Sequence, residues 1–125
     1  AFLAAVRNRI FTFLRDLLTG DFEVALSAVN STASDENEPW TADRLRRALE
    51  VYHVDHERFR LDPEARNLRH TYVTPSEDKR RWQVQQMLVD PEETNDWVAE
   101  FDVDLAASRE AGEPVLRLRR LGSLA

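Results

Sequence analysis

Acidic residues alternate with apolar ones in the stretch WVAEFDVDL, which begins at Trp97. Glu100, Asp102 and Asp104 are therefore two positions apart, and carboxylates that lie close together can bind a metal ion or share a proton. The same spacing also suits a half-buried β-strand, because successive side chains of a strand point to opposite faces of the sheet. We favour the strand, in which these acids occupy the solvent-exposed face.

The three histidines, His53, His56 and His70, are the other candidates for chemistry. His53 and His56 are three residues apart, and at that spacing two imidazoles on one side of a helix can share a metal ion. The zinc-protease motif instead requires histidines four residues apart with Glu directly after the first. Because His56 also falls on a predicted apolar stripe beside Tyr52, we expect a hydrogen-bonded core histidine and no metal site.

The sequence has no motif for nucleotide binding or nucleophilic catalysis. Its three glycines, Gly20, Gly112 and Gly122, are too far apart for GxGxxG or a Walker loop. It contains no cysteine, which excludes disulfides and thiolate metal ligands. No serine or threonine lies in a recognisable nucleophile elbow. We therefore predict that this chain is not an enzyme and has no catalytic, cofactor-binding or metal-binding residues.

A first helix is predicted from Phe2 to Leu18, where apolar residues recur every three or four positions. Gly20 can end it. The helix is apolar nearly all round, since Phe11 and Leu18 lie off its main stripe. Such a helix is buried on two sides, and we expect one of them to face a second subunit or other parts of a longer protein.

Two further helices are predicted before residue 63. The segment DFEVALSAV suggests a short second helix, and the polar residues 30–39 suggest a loop. Thr41 can cap a third helix, whose apolar stripe continues to Phe59 and which Pro63 would end.

The second half of the chain changes to a period of two, which indicates strands. We predict four strands, at residues 69–74, 81–89, 97–105 and 114–121, with the segment AASREAGE as a loop before the last of them. The expected inward residues of the two central strands are Trp82, Val84, Gln86, Leu88, Trp97, Ala99, Phe101 and Val103.

The strand register follows from matching apolar residues with apolar ones and polar residues with polar ones. In the last hairpin the predicted pairs are Phe101–Leu118, Val103–Leu116, Asp102–Arg117 and Glu100–Arg119. In the preceding hairpin they are Trp97–Leu88, Phe101–Val84, Glu100–Gln85 and Asp102–Gln83. A slip by one residue would break both patterns.

Helices followed by strands indicate an α+β domain, with three helices packed on one face of a curved antiparallel sheet of about four strands. This layout resembles the nuclear-transport-factor-2-like (cystatin-like) cone. Cones of this kind can hold a pocket between helices and sheet, and Gln86 is the only polar residue predicted to face it from the central strands. The candidate pocket residues are Tyr52, His56, Trp82, Gln86, Trp97 and Phe101.

Charge and composition limit the classes of partner. The net charge is −6, from 23 acidic and 17 basic residues, so the overall field does not attract nucleic acid. Local basic residues that could still contact nucleic acid are Lys79, Arg80, Arg81, Arg117 and Arg119. With no apolar run long enough to span a membrane, no signal peptide and no initiator Met, we expect one cytoplasmic domain over residues 1–125, cut from a longer protein.

Several segments resemble a known family in order along nearly the whole chain, namely AFLAAVRNRIF, YHVDHERFRLDPEAR, WQVQQMLVDPEETNDWVAEFDVDLAAS and EAGEPVLRLRRLG. They are similar to the C-terminal domain of unknown function of bacterial DEAD/DEAH-box helicases. The resemblance implies that the parent protein carries an upstream motor that uses ATP and Mg²⁺ and reaches nucleic acid. It assigns no functional residue to this domain.

Three functions stay open at this point. The first, which we favour, is a non-catalytic accessory domain that contacts upstream helicase domains or another protein, or forms a homodimer. The second is a small-molecule-binding or enzymatic cone with an apolar pocket. The third is an auxiliary nucleic-acid-binding module.

Overall fold

The computed structural model describes residues 1–30 and 38–125, and most of the predicted polar loop lies outside them. The described elements are α1 (Phe2–Leu18), α2 (Phe22–Ser27), α3 (Ala42–Tyr52), a short 3₁₀ helix (Leu68–His70), β1 (Thr71–Pro75), β2 (Arg81–Leu88), β3 (Trp97–Asp104), α4 (Leu105–Ala111) and β4 (Leu116–Ser123). Helices and one four-stranded antiparallel sheet, in the order β1-β2-β3-β4, confirm the α+β class. No helix of the described residues has the length and apolar character needed to cross a membrane.

The first helix has the bounds that its periodicity predicts. Val6, Ile10 and Phe13 lie on its buried side, and all three side chains are completely buried. Phe11 and Leu18, which lie off this stripe, are partly buried and pack against the core. The helix is followed by Gly20 at φ +78°, a backbone conformation that glycine adopts without a steric penalty.

The third helix begins as predicted but ends earlier. The Thr41 hydroxyl accepts a hydrogen bond from the backbone N–H of Arg44 at 3.1 Å, which is a typical N-cap. The prediction that the helix continues through Phe59 is wrong, because the last helical residue is Tyr52. The ring of His56 contacts the Tyr52 carbonyl oxygen at 2.9 Å, so a side chain takes the place that a further turn of backbone would occupy.

The sheet register confirms seven of the eight predicted cross-strand pairs. All four pairs between β2 and β3 are present, and in the last hairpin Phe101 lies opposite Leu118. The pairing of Glu100 with Arg119 is wrong, because Glu100 lies opposite Arg120. A bulge between Glu100 and Phe101 leaves Arg119 as the extra residue of β4, and such a bulge interrupts the strict alternation on which the prediction rested.

A fourth helix stands where the sequence suggested only a loop. Asp104 ends β3, and its carboxylate accepts a hydrogen bond from the backbone N–H of Ala107 at 2.9 Å. Gly112 ends the helix in the left-handed conformation at φ +72°. The Ser108 hydroxyl donates to the Asp104 carbonyl and accepts from Val115 N–H, so it joins the helix to the start of β4. Asp104 and Gly112 thus supply a helix start and a helix end, and a short helix forms between them without a long apolar stripe.

Aromatic side chains join the helices to the inward face of the sheet. The rings of Phe13 and Phe101 are nearly perpendicular, with centroids 5.6 Å apart. The ring of Phe2 lies 5.3 Å from that of Trp82. Edge-to-face contacts of this kind add roughly 0.5–1.5 kcal/mol beyond the burial of area. The helical layer therefore packs on the face that the alternation predicts to be apolar.

Candidate functional site

Two of the three alternating acids of β3, Glu100 and Asp102, form ion pairs on the outer face of the sheet. The Asp102 carboxylate contacts the guanidinium groups of Arg117 at 3.1 Å and Arg119 at 2.9 Å. Glu100 contacts Arg120 at 3.2 Å. The side chains of both acids are only 12% exposed, so these contacts are largely shielded from water by the strands around them. The pairs neutralise carboxylates that would otherwise be candidates for metal binding.

The predicted nucleic-acid residues are divided between two parts of the molecule. Arg117 and Arg119 lie over Asp102, as described above. Lys79 and Arg80 lie in the exposed turn that precedes β2, and Arg81 is the first residue of that strand. A cavity of about 640 Å³ brings together the arginines and acids Arg80, Arg81, Arg117, Asp78, Asp102 and Asp104. Its three bases are thus matched by three acids.

His56 lies at the centre of a polar cluster between the end of α3 and the start of β3. Its side chain is 6% exposed, and its ring stacks on that of Tyr52 with centroids 4.4 Å apart and planes 13° apart. The Nε2 atom lies 2.8 Å from a carboxylate oxygen of Asp96. The Nδ1 atom lies 2.9 Å from the Tyr52 carbonyl oxygen and 2.7 Å from a carboxylate oxygen of Asp55. Both ring nitrogens are therefore committed to oxygen atoms of the protein.

Opposing effects act on the imidazole of His56. Burial acts to lower its pKa, because it removes water from the charged form. Four interactions act to raise the pKa. They are the hydrogen bonds with Asp96 and with the Tyr52 carbonyl, and the negative charges of Asp96 and Asp55. Together they outweigh burial, so the pKa of His56 is raised above its usual value.

Two more ionisable groups, the phenol of Tyr52 and the carboxylate of Asp90, belong to the surroundings of His56. Tyr52 is completely buried, and burial together with the charges of Asp90 and Asp96 raises the pKa of its phenol. Among the described residues its hydroxyl has no hydrogen-bond partner. Burial acts to raise the pKa of Asp90, but hydrogen bonds from the N–H groups of Asn95 and Thr94 outweigh it and lower that pKa. Asp90 therefore stays ionised inside the loop between β2 and β3.

A cavity of about 320 Å³ opens beside this cluster. Its lining includes His53, Val54, His56 and Glu57, which follow α3, and Asp90 from the loop between β2 and β3. Within residues 1–30 and 38–125, no group of three or more His, Cys, Asp or Glu side chains has a geometry that could hold a metal ion.

The six candidate pocket residues differ in the side chains that they contact. Tyr52, His56 and Trp97 lie together, with the rings of Tyr52 and Trp97 5.1 Å apart. Phe101 packs on Phe13, and Trp82 on Phe2.

Gln86 stands apart from the other five, because its side chain bonds to β1. It is buried and accepts a hydrogen bond from the Thr71 hydroxyl at 2.5 Å. The cavities of about 320 and 640 Å³ include only His56 of the six candidates. The polar inward residue is thus used to join two strands.

Sequence reasoning missed three acids of this cluster, Asp55, Asp90 and Asp96. An acid that bonds backbone N–H groups in a turn resembles any solvated acid in the sequence. Asp96 lies forty residues from His56, so only the fold brings the pair together. His70, the third histidine, is buried apart from the others at the start of β1.

Comparison with protein-family models gives one match, to the family described as "Domain of unknown function (DUF3516)", over residues 1–121. Comparison with curated proteins and with solved structures gave no match.

Proposed function

This chain belongs to the family of domains of unknown function DUF3516, and from that premise we propose that it is a non-catalytic accessory domain of a DEAD/DEAH-box helicase. The link to a helicase is supported by the segments YHVDHERFRLDPEAR and WQVQQMLVDPEETNDWVAEFDVDLAAS, which resemble the C-terminal domain of such bacterial proteins. In this proposal, ATP, Mg²⁺ and nucleic acid are bound by the upstream motor, and the protein works in the cytoplasm.

A nuclear-transport-factor-2-like arrangement is part of the same proposal. It is supported by the packing of α1 and α3 on the inward face of the sheet, through Phe13 against Phe101 and Tyr52 against Trp97. In such a cone the helices would fill the concave side, which leaves the outer face and the loops for contacts.

The observation that carries the accessory role is the mutual pairing of the charged groups. Asp102 binds two arginines, Glu100 binds a third, and both ring nitrogens of His56 contact oxygen atoms of the protein. A general base needs a free lone pair within reach of substrate, and a carboxylate that binds guanidinium groups is a weak base. Because these ionisable groups already bind one another, they are better suited to stabilise the fold than to catalyse a reaction.

Protein contact is supported by exposed apolar side chains at the end of α3. Val51 is 60% exposed and Val54 is 82% exposed. Single exposed apolar residues are common, but Val54 also lines the cavity that contains His56, where a partner would meet both apolar and acidic groups. We call Val51 and Val54 the valine patch.

The test compares the full-length parent protein with a deletion that lacks residues 1–125. We expect basal ATP hydrolysis to persist in the deletion, whereas RNA-stimulated hydrolysis, unwinding or assembly with a partner protein changes. A double variant, V51S/V54S, should reproduce the change. The matched control is L68S, which alters another exposed apolar residue, 55% exposed, before β1. Unchanged stimulation, unwinding and assembly in the deletion would refute the accessory role.

One observation favours nucleic-acid contact as a second candidate. Within the described residues, no ion pair involves Lys79, Arg80 or Arg81, and two of these basic residues face the 640 Å³ cavity together with Arg117. The variant R80A/R81A would then weaken RNA binding by the isolated chain and reduce its salt dependence. Equal binding by variant and wild type across a salt titration would exclude this candidate.

A further inference from the structure

Hydrogen-bond acceptors face the imidazole of His56 from both sides. On one side lies the carboxylate of Asp96, and on the other lie the carbonyl oxygen of Tyr52 and the carboxylate of Asp55, all within 2.9 Å. A neutral imidazole has one N–H and therefore satisfies one side only. An imidazolium has two N–H groups and satisfies both. The geometry thus matches the protonated ring.

The wider surroundings also favour a cation here. The ring lies at the C-terminal end of α3, where the partial negative charge of the helix stabilises positive groups. From the loop before β3, Asp90 and Asp96 face the cluster, and Glu57 lines the same cavity. The neighbouring His53 is exposed, and its Nδ1 contacts the carbonyl oxygen of His56 at 3.2 Å.

His56 lies between three parts of the chain, namely the end of α3, the start of β3 and the segment that follows the histidine. Asp96 immediately precedes β3, and its carbonyl oxygen accepts the N–H of Leu124, just after β4, at 2.7 Å. The segment that follows His56 joins the rest of the domain through the buried ring of Phe59 and through an isolated bridge, in which Arg60 N–H donates to the Val89 carbonyl at 2.7 Å. A change at His56 can therefore reach the end of α3, the start of β3 and the end of β4 together.

We propose that His56 is a pH-sensitive latch, which holds the end of α3 against the start of β3 while its ring is protonated and loosens this contact when the ring loses a proton. This inference does not depend on the proposed accessory role. When the latch loosens, the stacked pair of His56 and Tyr52 and the neighbouring Trp97 become more accessible to water.

The direction of the pH dependence follows from the sign of the shift. The pKa of His56 is raised in the folded protein relative to an unfolded chain. Its contribution to stability is therefore complete below the ordinary histidine pKa and is lost as pH rises through the folded value. The latch is closed in mildly acidic conditions and open in alkaline ones.

The experiment uses NMR titration of the intact chain together with amide hydrogen exchange. We expect the His56 ring to titrate above the ordinary pKa of histidine, about 6.5. The protection factors of the Arg60 and Leu124 amides, corrected for the intrinsic rate of exchange, should fall over the same pH range. Titration of His56 at or below the ordinary histidine pKa, or protection factors that do not change across its titration, would overturn the proposal.

Two variants separate the latch from general stability. In D96N the carboxylate is replaced by an amide, so the titration midpoint of His56 should fall. In H56Q the pH dependence at Arg60 and Leu124 should disappear, whereas H53Q should keep it. If H56Q fails to fold, the midpoints measured in the wild type and in D96N still decide the question. An unchanged midpoint in D96N would contradict the latch.

Discussion

Replacement of Phe101 by Ala is the most direct test of which face of the sheet is buried. The side chain is completely buried, lies between Val84 and Leu118 on the neighbouring strands, and has its ring edge-to-face with Phe13. Truncation of a buried phenylalanine costs roughly 3–5 kcal/mol, from lost transfer free energy and from the cavity left behind. A domain of this size has a total stability of about 5–15 kcal/mol, so the loss is a large fraction of it.

Urea denaturation followed by the fluorescence of the three tryptophans measures this loss. We expect the unfolding midpoint to fall clearly and the melting temperature to drop by about 10–20 °C. The matched control is Y72A, because Tyr72 is an aromatic residue of the same sheet that is 54% exposed. Its loss should cost at most about 1 kcal/mol. Equal effects of F101A and Y72A would refute the assignment of the inward face.

Three further predictions concern the register, a helix cap and the buried phenol. A double-mutant cycle should give a coupling of roughly 0.3–1 kcal/mol between Glu100 and Arg120 and almost none between Glu100 and Arg119, and the reverse order would place the bulge elsewhere. G112A should lower the free energy of unfolding by about 1 kcal/mol through its left-handed backbone alone, since a Cβ there meets no atom within 4 Å, and an unchanged urea midpoint would argue against that conformation. Y52F should leave stability unchanged or raise it by up to about 1 kcal/mol, because it removes a buried hydroxyl that has no partner among the described residues; a clear loss in thermal denaturation would reveal one.

The elements with strong periodic patterns were predictable from the sequence. The bounds of α1 and seven of eight cross-strand pairs follow from the pattern of apolar and polar residues, because a buried face penalises any shift of register. The missed helix α4 carried its signals in Asp104 and Gly112, but it is short, and alternation through Leu105 favoured a longer strand. The bulge at Arg119 was missed, although the two consecutive arginines before Leu121 interrupt the alternation of LRLRRL, because the predicted pairs extended strict alternation through Arg119.

The candidate site was less predictable than the fold. Tyr52, His56 and Trp97 were proposed as neighbours, and the structure brings them together. The partners that determine the state of His56 were not identified, because Asp96 approaches only when β3 folds back onto the helical layer. The early end of α3 was also missed. The apolar stripe continues to Phe59 although the helix ends at Tyr52.

The sequence by itself determined the α+β class, the inward face of the sheet and the pairing of Asp102 with Arg117, because hydrophobic burial acts through local periodicity that can be read along the chain. Only the tertiary structure decided that Glu100 and Asp102 together bind three arginines, and that His56 has an acceptor on each side of its ring. Charge state and hydrogen bonding depend on groups a few ångströms away in space, whatever their distance along the chain, and the fold alone sets those distances.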